Sequence, residues 1–496
     1  MRGFDRRVID PGFVRQVLFA FCIALYASAA TAKPMGTLEA RHLLVRTSFA
    51  ALPAEIESYA ALSRVEAVER LLSQVRTEPS TRPPEALDQW TPRSLFRGWS
   101  EEERRTWLRH TIQQGQELRV WWFDEMLLTP TPFTERMTLF WHNHFVSSLQ
   151  KVRPTRLMYR QNLLLRKHAL GNFRELLHAM ARDPAMVVYL DNASNRKGQP
   201  NENFARELME LFTLGEGQYG EPDVKEAARA FTGWGIDGET GEFIFRPGQH
   251  DFGVKTILGR SDVLGGGDVL DLLLERSETA ETIVRKLWRE FVSPTPQERE
   301  VARIAAEFRK SGYDIRVPVR QLLVSDAFYA ASNRASLVKS PIDLLVGTLR
   351  QFKFDVGDAY PFVVMGRQLG QDLMAPPNVK GWRGGEQWIN AGTLLTRRQI
   401  LERLFRLVEP PVAGSMMAAS SNQPPQAGAA NQESRFRRAM QGVWFDESAF
   451  GATLGTKDQA LLVRLLLPEK PVHPVAAQDR LGLIRKLTLD PMYQLK

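Results

Sequence analysis

Residues 201–212 read Asn-Glu-Asn-Phe-Ala-Arg-Glu-Leu-Met-Glu-Leu-Phe. On a helix, advancing from Glu202 places Arg206 at about 40°, Glu210 at about 80°, Asn203 at about 100° and Glu207 at about 140°. One face therefore collects three carboxylates, a guanidinium and an amide, opposite Phe204, Leu208, Leu211 and Phe212. Two readings fit. The face is either the solvated side of a surface helix, or a cleft wall where crowded carboxylates serve acid–base work or a hard divalent cation. In the cleft, Glu202, Glu207 and Glu210 do the chemistry, Arg206 anchors or polarises substrate, and Asn203 binds it.

Three further segments carry reactive or recognition groups. His142 and His144 flank Asn143, but on a continuous helix they diverge by about 200° and do not chelate one ion together. His144 shares a stripe with Phe133, Met137 and Trp141 and is expected in the core, which leaves His142 as the freer ring and the candidate metal ligand. His250-Asp251, followed by Lys255, suits a base and its orienter or a pair of ligands, and equally a hydrogen-bonded loop corner. Residues 376–385 form a Pro/Gly-rich loop that, with Trp388 and Asn390, offers Trp382 and Trp388 either for stacking on a sugar ring or for plugging the core.

Other chemistry is excluded. Gly215, Gly217 and Gly220 match the spacing of a dinucleotide-binding fingerprint, but they follow a helix where that fingerprint needs a strand. No HExxH, GxSxG, Walker or c-type haem signature occurs. The only cysteine is Cys22. It lies in a segment that reads as an export signal: charged Met1 to Arg7, apolar Val17 to Ala27, then Ala30-Thr31-Ala32. Cleavage after Ala32 is preferred to retention as an anchor, since the apolar run falls short of the ~20 residues that span a bilayer. The mature chain is then cysteine-free, without a transmembrane domain, and periplasmic or extracellular. Losing four arginines and two aspartates lowers the net charge from +8 to +6, a mild basic bias that does not call for nucleic acid. The cluster Lys151, Arg153, Arg156, Arg160, Arg166 and Lys167 is read as a solvated helix face.

The elements that must position these groups are helices. Ser63 to Glu66 and Ser100 to Glu103 are capping boxes, the first ahead of Val65, Val68, Leu72 and Val75, the second ahead of Trp107, Leu118, Trp121 and Trp122. Thr131-Pro132 caps the helix that carries both histidines, and Asn172 caps the next amphipathic run. Helices are also expected over 341–352 and 393–408. The one clear β signal is a hairpin, residues 234–237 and 242–246 around a Gly-rich turn. The fold class is therefore mainly α, a multi-helical globular body with a short β-hairpin insertion: 33–409 as the main domain, 410–433 as a low-complexity linker or insertion, and 434–496 as a helical segment docking back.

Several stretches, in this order, resemble a large bacterial family of domains of unknown function, number 1800. They are Arg41 to Leu44 with Arg46; Trp141 to Phe145; Asp183 to Met186 with Tyr189 to Asp191; and residues 200–217. They continue with Asp223-Val224 through Thr232 to Trp234, His250-Asp251 with Lys255, residues 376–382, and Pro491 to Gln494. Gly220 departs from the family's usual Thr. The resemblance implies an exported protein, often encoded beside an exported partner resembling sulfatases and phosphatases, and supplies no catalytic residues. Two functions remain open: a hydrolase of envelope or extracellular material using the carboxylate/His cleft, with or without a divalent metal, and a non-catalytic binding or scaffold protein that works through its tryptophan loops.

Overall fold

The structure is a computed structural model that describes residues 33–406, 427–454, 459–475 and 479–496. The expected signal segment with Cys22, and most of the 410–433 tract, lie outside the described residues.

Local chemistry sets the helix starts. Ser63 accepts from the Glu66 N–H and receives Glu66 in return, opening Arg64–Ser73. Ser100 and Glu103 do the same for Glu101–Leu128. Val68 and Leu72 are buried as expected, but Val65 is exposed and Val75 follows the helix end, so that stripe is narrower than the spacing predicts. Pro132 opens Pro132–His144, although the Thr131 side chain makes no cap bond. Asn172 accepts from the Arg174 and Glu175 N–H groups to start Phe173–Ala181. Helices Pro341–Phe352 and Ala391–Arg406 occupy the two later positions.

One continuous hydrophobic core runs through these helices. Glu101–Leu128 packs against Thr155–Lys167, Pro341–Phe352 and Tyr360–Gln368. Inside it sits a charged pair: Arg166 Nε meets Glu135 Oε1 at 2.6 Å, and Trp122 donates to Glu135 Oε2 at 3.0 Å. Lys151, Arg153 and Lys167 are exposed as the reading of a solvated face expects, but Arg156, Arg160 and Arg166 are not. Arg166 is fully buried, while Arg156 and Arg160 both bridge Asp88 and Glu242, tying their helix to the hairpin.

Among the described residues three two-stranded sheets form. The expected hairpin is β1, Trp234–Ile236, with β2, Phe243–Phe245, in a register that pairs Trp234 with Phe245. A second hairpin, β3 Lys255–Ile257 with β4 Arg260–Asp262, turns on Leu258 and Gly259, both at positive φ. That is a two-residue loop of the primed kind, with leucine where Asn or Asp is usual. Strand β5, Asp355–Val356, pairs with β6, Val443–Trp444. Helix Ala427–Gln441 starts inside the tract read as low-complexity, anchored by Arg435 on Asp358. The C-terminal segment docks on the body: Lys496 donates to the Leu337 carbonyl at 2.8 Å, Lys339 to that of Gln494 at 2.8 Å, and Arg397 to the Gln494 side chain at 3.1 Å. Among the described residues no helix is long and apolar enough to cross a membrane.

Candidate functional site

The 201–212 segment is helical only to Glu207. Asn203–Glu207 is α-helical and Leu208–Phe212 is a π turn, so the 100° projection fails beyond residue 207 and the polar face divides. Arg206 takes Glu202 at 3.0 Å and Glu221 at 2.6 Å, closing a partly exposed ion-pair cluster. Asn203 donates to the Leu190 carbonyl at 3.2 Å. Glu207 and Glu210 form a second group, where Glu210 accepts from Tyr219 at 3.0 Å and lies 3.6 Å from Lys380. Burial, then the neighbouring Glu210, raises the Glu207 carboxyl above its ordinary value. Gly215 and Gly217, both at positive φ, turn the chain after the π turn. The Gly220 N–H donates to Asp223 at 2.9 Å, and Gly220 starts the next helix without a capping side chain of its own.

His250 and Asp251 part company. His250 bonds the Thr232 carbonyl through Nδ1 at 2.8 Å, while Asp251 accepts from Arg229 at 2.8 Å, which with burial opposing holds its carboxyl down at about 2. Lys255 donates to the carbonyls of Asp251 and Gly253. Asp251 therefore does not orient His250, and no hydrogen bond or ion pair among the described residues joins this corner to Glu202, Glu207 or Glu210.

His142 is not the freer ring. It is 1% exposed, edge-on to Trp122 at 5.3 Å and 5.6 Å from Trp382, and burial pushes its pKa down to about 3. Among the described residues no three His, Cys, Asp or Glu side chains gather closely enough to hold a metal ion. The divalent cation envisaged for the carboxylate cleft has no assembled donor set there.

What the fold does assemble is a cavity of about 530 Å³. One wall is a single stripe of Pro132–His144, namely Arg136, Leu139, Phe140, Asn143 and His144. Facing it are Lys286, Arg289 and Glu290 of Ser277–Phe291, Asp343 at the start of Pro341–Phe352, the loop residues Lys380, Trp382 and Trp388, and Lys496. Both tryptophans are mostly buried in the core, the plugging role of the two the sequence left open, and each also lines the cavity. The loop is held by Asn143, whose Oδ1 accepts the Trp382 N–H at 2.7 Å. Gly381, at φ +82°, presses so closely that a Cβ there would fall 2.3 Å from the same oxygen.

The charges in the cavity divide into a neutralised set and an excess. Asp343 sits 2.5 Å from Arg136 and 2.7 Å from Lys496, and Glu290 reaches the same two cations at 3.5 and 3.9 Å. Against its burial, Arg136 and Lys496 hold the Asp343 carboxyl far below the usual range. Lys380 is engaged by Glu216 at 3.0 Å and by Glu210. Lys286 donates to His144 Nδ1 at 2.9 Å and to the Leu211 carbonyl at 2.7 Å, both neutral, and burial with nearby Arg289 pushes its amine down to about 8. His144 is held neutral by burial and by Lys286. Among the described residues neither Lys286 nor Arg289 has a carboxylate partner.

Three of the stretches singled out in the sequence meet at this cavity: 141–145 as a wall, 201–217 through Leu211 and Glu210, and 376–382 as the loop. The family described as Protein of unknown function (DUF1800) matches residues 42–495. The chain belongs to the DUF1800 family. No curated protein and no solved structure matches it. In this DUF1800 chain the stretches at 41–46 and 183–186 tie the frame together. Arg41 donates to the carbonyls of Leu465 and Leu466, His42 bonds that of Phe328, and Arg46 donates to those of Phe291, Val292 and Asn333. Asp183 caps Pro184–Tyr189. Sequence reasoning missed Asn143, Lys286 and Arg289. Asn143 was signalled by its place between two histidines, whereas the two cations lie in an ordinary amphipathic helix.

Proposed function

We propose that this DUF1800 chain is a binding protein for a small anionic ligand, a phosphate-, sulfate- or carboxylate-bearing molecule seated in the cavity beside Trp382 and Trp388. The observation that carries the reading is the pair Lys286 and Arg289, two cations one helical turn apart on a cavity wall, neither of them in an ion pair with a carboxylate among the described residues. Lys286 is half-buried and Arg289 exposed; a partly desolvated amine without an anionic partner is costly, and an anionic ligand that reaches both cations offsets that cost with charge-assisted hydrogen bonds. The volume suits a small molecule. A hydrolase resting on Glu202, Glu207, Glu210 and His250-Asp251 has less support, because Glu202, Glu210, His250 and Asp251 are engaged by Arg206, Tyr219, Thr232 and Arg229, and only Glu207 is left without such a bond. Export rests on the first 32 residues and would place the cavity in the periplasm or outside the cell, where an exported partner of sulfatase or phosphatase type would be a source of such anions.

Calorimetric titration with sulfate and with a sugar phosphate tests this. Saturable binding is expected, weakened about tenfold or more, ~1.4 kcal/mol, in Lys286→Met and Arg289→Met. Equal weak binding by wild type and variants would overturn it.

A further inference from the structure

The anion-binding reading leaves open what else the ligand carries, and the cavity's lysines bear on that. Of Lys286, Lys380 and Lys496, the last two are held as ammonium groups by carboxylates, Lys380 by Glu216 and Lys496 by Asp343. Lys286 alone among them has only neutral acceptors, His144 Nδ1 and the Leu211 carbonyl. An amine desolvated beside a second cation is the arrangement that activates lysine as a nucleophile. The π turn takes part, since Leu211, whose carbonyl holds Lys286, lies within it. Arg289 stands one turn along the same helix, and residues three apart on a helix are surface neighbours.

Resting on the anion reading, we infer that Lys286 is a covalent site for a carbonyl-bearing anion, an α-keto or aldehyde acid whose carboxylate lies on Arg289. The Nζ lone pair attacks the carbonyl carbon and forms the C–N bond while the carbonyl π pair moves to oxygen. The oxygen takes up the two amine hydrogens and leaves as water, and the C=N bond remains. No oxidant or reductant is consumed. His144, neutral and already bonded to Nζ, keeps the amine aimed, and solvent water carries the proton from nitrogen to oxygen.

The test uses the full chain with glyoxylate and sodium cyanoborohydride, which fixes an imine as a stable secondary amine, followed by intact-mass analysis and peptide mapping. At low glyoxylate one adduct is expected, on Lys286, suppressed by saturating sulfate and slowed about tenfold or more in Arg289→Met. Lys286→Arg should lose the adduct. Because that variant can misfold, the sulfate competition in wild type stands as an independent arm. Sulfate binding at the cavity with labelling absent, or spread evenly over surface lysines, would overturn the covalent site and leave the anion reading intact. Failure of both sulfate binding and Lys286 labelling would overturn both.

Discussion

Asn143 Oδ1 accepts the backbone N–H of Trp382 at 2.7 Å, and Gly381 packs against that same oxygen with no space for a Cβ. The Pro132–His144 helix and the tryptophan loop are thus fastened at one point, beside Lys380. A side chain at position 381 meets both a left-handed backbone and a collision, so Gly381→Ala is expected to destabilise the chain by about 2 kcal/mol. Asn143→Ala, which leaves the Trp382 N–H without its acceptor, costs about 1–3 kcal/mol. Urea unfolding measures both, and both should also weaken sulfate binding. A stable variant with unaltered affinity would show that the loop is placed by other contacts.

Glu135 and Arg166 make the deepest ion pair in the body, with Trp122 donating to the same carboxylate. Removing one partner strands a buried charge, so Glu135→Gln is expected to cost about 3–5 kcal/mol, whereas Glu135→Met with Arg166→Met costs much less than the two single changes together. A double-mutant cycle by chemical denaturation decides it, and additive losses would refute the coupling.

Helix existence and the first hairpin were legible because caps and periodicity are local: Ser100 with Glu103 and Asn172 each write a helix start within four residues. The second hairpin was missed because Leu258 does not announce a left-handed turn. The candidate site was legible as segments but not as chemistry. The run from Glu202 to Glu210 looked like one polar face, and the π turn after Glu207 divided it. Arg156, Arg160 and Arg166 looked solvated because Glu135, Asp88 and Glu242 are distant in sequence. Lys286 and Arg289 gave no local sign, since what distinguishes them is that the fold brings neither into an ion pair among the described residues.

Asp183 offers a pH test of the frame. It caps Pro184–Tyr189, its hydrogen-bond partners are neutral, and burial pushes its carboxyl up to about 7 against the Met186 N–H and the Gln161 amide. A carboxyl whose folded pKa exceeds its unfolded value of about 3.9 contributes stability that is lost as pH rises from about 4 to 7. Asparagine caps equally well and carries no charge. Asp183→Asn should therefore gain on wild type across that window, by on the order of 1 kcal/mol at pH 7.5. Thermal or urea unfolding at pH 5 and 7.5 gives the comparison, and a difference that does not change with pH would count against it.

Lys286 should make anion binding fade with alkali. The groups facing it are His144 from the opposite wall, the Leu211 carbonyl, Arg289 and Glu290 on its own helix, and Arg136, Asp343, Lys380 and Lys496 around the cavity. His144 is already neutral and Asp343 already charged, while Glu216 raises Lys380. The change near pH 8 is then centred on the Lys286 amine. Sulfate, whose charge is constant there, should bind about threefold to tenfold less tightly at pH 9 than at pH 7, a slope that Lys286→Met abolishes. Stability moves the other way. With its folded pKa near 8 and its unfolded value near 10.4, the folded chain binds fewer protons between them, so unfolding becomes harder as pH rises through that window. Lys339, whose amine burial pushes down to about 7, adds to the same rise in stability, so Lys286→Met should abolish the affinity trend and only reduce the stability trend, and that pairing identifies Lys286 as the group that titrates in the site. A sulfate affinity that is flat from pH 7 to 9 in wild type would remove it from the site.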